Sequence, residues 1–231
     1  MKSSEDILRE VRDIFATKWQ TRDGQKVPEA EDVKLGNDAV LLNGTVLYAD
    51  MTDSTTLVNS HKDRFAAEIY KTYLVAACHI IRNNAGEITA FDGDRVMAVF
   101  IGDLKNSSAA KTSLQINYIV REINSALKKA YPNTAYQLRQ AIGIDTSPLF
   151  VARTGIRKSN DLVWVGRSAN YAAKLCGLAS TDYSVFITEP VFGVLSDETK
   201  YAGNPRRCMW EKVMWQDKGV AVYRSNWWWG F

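Results

Sequence analysis

The segment RVMAVF, residues 95–100, carries an apolar side chain at every position after its arginine. Both faces of the strand it forms therefore need covering, which places it inside a sheet rather than at an edge. Asp92, Gly93 and Asp94 stand directly before it and suit a tight turn, and the segment EITAF precedes them. The pattern predicts a hairpin with strands near 87–91 and 95–101. A buried second strand needs a further neighbour, and GTVLYAD at 44–50 supplies an alternating candidate. In an extended chain Val46, Tyr48 and Asp50 point to one side, Leu47 and Ala49 to the other. One strand thus ends in an acid, and the other begins just after one.

The rest of the chain mixes helices with hairpins. Ile7, Leu8, Val11, Ile14 and Phe15 recur at helical spacing, predicting an amphipathic helix over 3–20 capped by Ser3 or Ser4. The polar stretch QTRDGQKVPEAEDVKLGNDA reads as a connector, so residues 1–40 form an N-terminal appendage and 41–231 the main domain. There the reading gives a strand at 45–50, a helix over 61–84 closed by Gly86, the hairpin, and a helix over 106–130 closed by Pro132. A strand at 137–145 runs through Ser147-Pro148 to LFVAR, followed by the strand DLVWVG and a helix at 167–179. A strand at 184–188, a helix at 189–196 and a β-rich segment at 207–225 complete the order. Hairpins without strict βαβ alternation predict an α+β fold, a mixed, mostly antiparallel sheet covered by helices on one side.

Composition narrows the function classes. A formal net charge of +3 is too small for a nucleic-acid coat, so no nucleic-acid partner is expected, but local basic clusters can still face a small anion. No apolar run approaches the roughly 18 residues of a membrane helix, so stable membrane insertion is not expected and a cytoplasmic location is the default. Cys78, Cys176 and Cys208 lie far apart in apolar stretches without metal spacing and read as reduced packing residues.

If the strands ending at Asp50 and starting at Arg95 are neighbours, Asp50 and Asp94 converge at one sheet edge. Two carboxylates there repel each other unless cations join them, and hard oxygen donors suit Mg²⁺ or Mn²⁺. A pair of such ions about 3.5–4 Å apart activates an attacking hydroxyl and neutralises a triphosphate leaving group. Asp53 reads as a helix cap and Asp92 as a turn residue.

The combination LYADMTDST … AFDGDRVMAVF … VGRSANYAAKL resembles the class III nucleotide cyclases over about 44–225. The resemblance implies a ferredoxin-like β-α-β-β-α-β core with extra strands, working as a head-to-tail homodimer with composite sites. It makes Asp50 and Asp94 metal ligands for two divalent ions, Mn²⁺ or Mg²⁺, with the Met51 backbone carbonyl as a further ligand. It makes Asn170 the ribose-orienting residue and Lys174, where the family has arginine, the residue that stabilises the transferring phosphate. Lys218, in EKVMWQDKGVAVYRS, matches a triphosphate-contacting lysine. The glycine and phenylalanine of the family's first motif are replaced by Asp53 and Ser54.

Family members that use purines read the base with two polar side chains, and the matching positions here hold Ala90 and Val163. Neither forms the required hydrogen bonds. Tyr48, which shares Asp50's face, and Arg95, next to Asp94, offer instead a phenol that narrows the pocket and a guanidinium suited to carbonyl acceptors. This pattern is similar to that of the stand-alone pyrimidine cyclases of Pycsar anti-phage systems. The resemblance implies a nucleoside triphosphate substrate and a cyclic product that switches on a downstream effector. Uracil, with two carbonyls, suits an arginine better than cytosine, giving UTP as the expected substrate. The alternatives are a cytidylate or adenylate cyclase, or a non-catalytic nucleotide-binding domain. A haloacid-dehalogenase-type phosphatase is disfavoured, because the second acid of DMTDST falls one position late for that loop. The ending NWWWGF is expected to wrap over the core or a dimer partner.

Overall fold

The structure, a computed structural model, describes residues 2–231. Two compact units emerge, one from the residues up to Asn43 together with Pro148–Gly166, the other from Gly44–Ser147 and Arg167–Phe231. In chain order the elements begin with α1 (Ser4–Ala16), β1 (Gln20–Asp23), β2 (Asp38–Met51), α2 (Ser54–Ser60) and α3 (Asp63–Asn83). The hairpin β3 (Glu87–Asp92) and β4 (Arg95–Phe100) leads to α4 (Lys105–Ala130), β5 (Gln140–Ile156), β6 (Ser159–Val165) and α5 (Arg167–Cys176). The last elements are β7 (Val185–Thr188), α6 (Glu189–Gly193), α7 (Asp197–Lys200), β8 (Tyr201–Ala202), β9 (Arg207–Cys208), β10 (Glu211–Trp215) and β11 (Val220–Ser225).

In the first unit α1 starts at a capping box, with the Ser3 hydroxyl accepting from the Asp6 N–H and the Asp6 side chain accepting from the Ser3 N–H. The helix ends at Ala16, four residues before the expected boundary, and none of its side chains is buried. Its expected apolar face, Ile7, Leu8, Val11, Ile14 and Phe15, is exposed. The expected connector contains a strand: β1 pairs in parallel with the start of β2, Gln20 opposite Asp38. β5 and β6 form a hairpin with Phe150 opposite Val165, and the Trp19 ring meets Phe150 edge-on.

The second unit holds the strands in the order β10-β11-β7-β5-β2-β4-β3. Within it β5-β2-β4-β3 is the ferredoxin-like arrangement, in which the hairpin inserts its second strand beside the first strand of the core. β4 lies between β2 and β3, as its two-sided apolarity requires, with Leu47 opposite Ala98 and Thr45 opposite Phe100. Leu47, Ala49, Val96, Ala98 and Phe100 face a core filled from α3 by Ile69, Tyr73 and Ala77 and from α4 by Leu114 and Ile116. Those α3 residues recur every four positions, which turns one stripe of the helix inward. α3 stops at Asn83, where Ala85 takes the left-handed conformation that the sequence suggested for Gly86.

Helices do not cover only one side of the sheet. Leu175 of α5 packs with Phe186, Trp215 and Val222, the alternate residues of β7, β10 and β11, while Val185 and Ile187 join the α3/α4 core. α5 therefore lies on the opposite face, its sequence too short and too polar to signal this alone. Gly143 of β5 makes its seat possible, since a Cβ there would lie 2.0 Å from the Ala172 carbonyl oxygen. Trp227 and Trp229 pack against the main core, with the Trp229 N–H donating to Leu114 O at 3.0 Å and Asn117 Nδ2 to Trp227 O at 2.8 Å. Cys176 is buried but Cys208 is exposed, which corrects its reading as a packing residue. All three cysteines are free thiols.

Candidate active site

The pleat of β2 sends Leu47, Ala49 and Met51 into the core. It leaves Tyr48 and Asp50 on the opposite face. Register with β4 sets Tyr48 opposite Met97 and Asp50 opposite Arg95. Because Asp92 also pairs with Arg95, the hairpin turns through Gly93 and Asp94 alone. Gly93 has φ of +61°, a conformation that costs glycine little. That turn holds Asp94 beside the end of β2, where its charge acts on Asp50.

Asp50 is the most constrained group. Its side chain retains 16% exposure and accepts a hydrogen bond from Arg95 Nη2 at 2.6 Å. The Met51 N–H donates to the same carboxylate. Burial pushes the Asp50 carboxyl above the ordinary range, and the Asp94 charge adds to the rise against the opposing effect of Arg95. Beneath it, the buried Tyr73 hydroxyl donates to the Asp50 backbone carbonyl at 3.4 Å. The Cys176 thiol from α5 donates to Tyr48 O at 3.7 Å, and burial pushes it up to about 12. Sequence reasoning missed Tyr73 and Cys176, since each looks like an ordinary apolar-face residue of its helix.

Arg95 reaches from Asp50 toward Tyr48, its guanidinium 5.8 Å from the centre of the phenol ring. Its buried Nε has no hydrogen-bond partner among the described residues. Burial raises the Tyr48 phenol above its ordinary value, against the opposing charge of Arg95. Asp53 occupies the position before α2 at φ +59° but makes no cap hydrogen bond. Its carboxylate pairs with Arg139 instead, correcting its reading as a cap.

Asn170 and Lys174 are exposed on α5, four residues apart and so on one side of the helix. Lys218 is exposed in the turn Gln216–Lys218 that joins β10 to β11. The Lys174 and Lys218 side chains make no hydrogen bond or ion pair with the Asp50 cluster among the described residues. Ala90, opposite Met97, and Val163, exposed on β6, offer no polar group to a base.

The donor set suits a hard divalent ion. No group of three or more His, Cys, Asp or Glu side chains could hold a metal among the described residues. Two carboxylates with an adjacent backbone carbonyl fit ions that keep oxygen ligands from a substrate phosphate, as Mg²⁺ does. The half-buried Asp50, raised in part by its neighbour's charge, is the kind of group a cation would relieve.

This sheet order is the catalytic-domain fold of class III nucleotide cyclases. The adenylyl cyclase CyaB from P. aeruginosa matches with a TM-score of 0.69 at 17% identity, covering 81% of this chain and 95% of that one. No protein-family model matches the sequence. A uridylate cyclase of Xanthomonas perforans is 47% identical over 99% of both chains, and one of Burkholderia cepacia is 46% identical over the same shares. The chain belongs to the uridylate cyclase family.

Proposed function

We propose that this protein converts UTP into 3′,5′-cyclic UMP and pyrophosphate. The observation that carries the reading is the face on which Tyr48 and Arg95 stand beside the carboxylates, in a chain 46–47% identical to two uridylate cyclases over nearly its whole length. Asp50, Asp94 and the Met51 carbonyl would hold two divalent ions, Mn²⁺ or Mg²⁺, which supply activation of the ribose 3′-hydroxyl and neutralise the triphosphate. The reaction forms one bond from the 3′-oxygen to the α-phosphorus and breaks the bond to pyrophosphate, so no water enters.

The chain's own residues position the reactants. Arg95, whose guanidinium side chain is partly exposed beside Tyr48, donates to the uracil carbonyls, and Tyr48 limits the pocket to a single ring. Asn170 orients the ribose, Lys174 stabilises the charge on the transferring phosphate, and Lys218 contacts the triphosphate. The protein acts as a homodimer in which one protomer contributes the carboxylates and its partner contributes Asn170 and Lys174. The exposure of both α5 residues supports this division. In the cytoplasm its product would serve as a second messenger for a cyclic-nucleotide-activated effector in anti-phage defence. The sequence resemblance supports that role, and no described helix is long and apolar enough to cross a membrane.

Purified protein given Mn²⁺ and UTP, CTP, ATP or GTP one at a time tests the base assignment. Cyclic UMP is expected as the dominant product. Arg95→Met should narrow the preference for UTP over CTP by at least about tenfold. Preferential cyclisation of ATP by the wild-type protein would overturn the assignment.

A further inference from the structure

Asp145 is fully buried, near the point where β5 leaves the second unit. Ile142 and Ile144 fill the α3/α4 core, so the strand's alternation turns Gly143 and Asp145 to the face occupied by α5. Arg167, the first residue of α5, grips that carboxylate as a fork, with Nε to Oδ2 at 3.0 Å and Nη2 to Oδ1 at 3.1 Å. Nη2 also donates to Thr146 O at 2.8 Å, and the Thr188 hydroxyl from β7 donates to Asp145 Oδ1 at 2.5 Å. The Ser147 hydroxyl accepts from the Ser168 N–H at 2.9 Å, which ties the next residue of the helix to the same strand.

A buried carboxylate is costly unless fully paired, and an apolar residue would serve packing as well. What the pair adds is direction. Arg167, Asn170 and Lys174 are spaced three and four apart along one stripe of a ten-residue helix. Gly143 sets how closely α5 approaches the sheet, at Ala172 and Leu175, and the fork fixes the helix start. We propose that Arg167 and Asp145 are positioning residues that hold α5 in the orientation through which Asn170 and Lys174 reach the partner protomer's nucleotide. This rests on the composite-site reading given above.

Arg167→Lys keeps the charge and loses the fork. In the full-length protein it should lower kcat about 10–100-fold, the range expected of a misplacement near 1 Å, with KM for UTP changed less than about threefold. Mixed dimers, co-expressed with two different tags and purified through both, separate positioning from general damage. Asp50→Asn combined with Lys174→Ala is the reference pair, regaining one intact site and about half the wild-type activity. Asp50→Asn combined with Arg167→Lys should do the same. Arg167→Lys combined with Lys174→Ala should regain nothing, since both changes lie on α5. Failure of the reference pair refutes the composite sites, and the kcat of the Arg167→Lys homodimer still decides the fork's role. A folded Arg167→Lys homodimer with wild-type kcat overturns the proposal. So does an Asp50→Asn/Arg167→Lys mixed dimer that stays inactive while the reference pair recovers.

Discussion

A single methyl group at position 143 should separate stability from catalysis. In Gly143→Ala the added Cβ would lie 2.0 Å from Ala172 O and 2.8 Å from Leu175 Cβ. The nearer neighbour is helix backbone, which no rotamer change can remove. Normal contact would be restored only if α5 withdrew by roughly 1.5 Å. Stiffening the unfolded chain by replacing glycine contributes about 0.4–1 kcal/mol in favour of folding. Overpacking costs about 1–3 kcal/mol, so the steric effect wins. At about 2–4 °C per kcal/mol for a chain of this size, the melting temperature should fall by several degrees. A retreat of that size by the helix carrying Asn170 and Lys174 should meanwhile lower kcat by at least about 100-fold. Thermal unfolding by circular dichroism, paired with UTP cyclisation well below the transition, reads both quantities. A lowered melting temperature with wild-type kcat would show that the seat of α5 does not govern catalysis. An unchanged melting temperature would refute the steric argument itself.

Asp50, whose folded-state pKa is raised, should make the metal-free protein less stable as pH climbs from the ordinary carboxylate range through that raised value. Denaturant titrations in chelator across that window should show the slope, and Asp50→Asn should flatten it. A slope unaffected by the substitution would assign it to another group. Native protein treated with iodoacetamide near pH 8 should be alkylated at the exposed Cys208 while Cys176, with its thiol pushed up to about 12, stays intact until unfolding. Peptide mapping checks the order, and early modification of Cys176 would contradict its burial. Limited proteolysis should leave the Trp227–Trp229 segment in place for as long as the core, because two of its indoles pack there and its backbone is tied to α4. Rapid loss of the tail would argue against that packing.

Much of the fold was legible because few side-chain patterns satisfy a buried hairpin. RVMAVF demanded neighbours on both sides, and β4 indeed lies between β2 and β3. The parity of Tyr48 with Asp50 was equally readable, since a strand's period is two residues. What stayed hidden depended on backbone or on distant partners. β1 consists of four exposed polar residues held by main-chain pairing and by the Arg22 side chain on Asp38, leaving no hydrophobic signal in QTRD. α1 shows an amphipathic pattern, yet that pattern specifies a face without naming what covers it. The fork between Asp145 and Arg167 joins two charged residues that look individually like surface groups. The exposure of Asp53's partner Arg139, and of Asp53 itself, shows why local capping logic failed: a long side chain from β5's approach competed for the carboxylate.

Asp50 at the end of β2 and Asp94 in the β3/β4 turn are proposed to act together on the phosphates of UTP. The most direct test of that joint action is the rate of cyclic UMP and pyrophosphate formation by Asp50→Asn and Asp94→Asn at saturating Mn²⁺ and UTP, with folding verified by circular dichroism. Each variant should lose at least about 10³-fold in kcat, consistent with several kcal/mol of transition-state stabilisation. Turnover within a few-fold of wild type in either variant would contradict it.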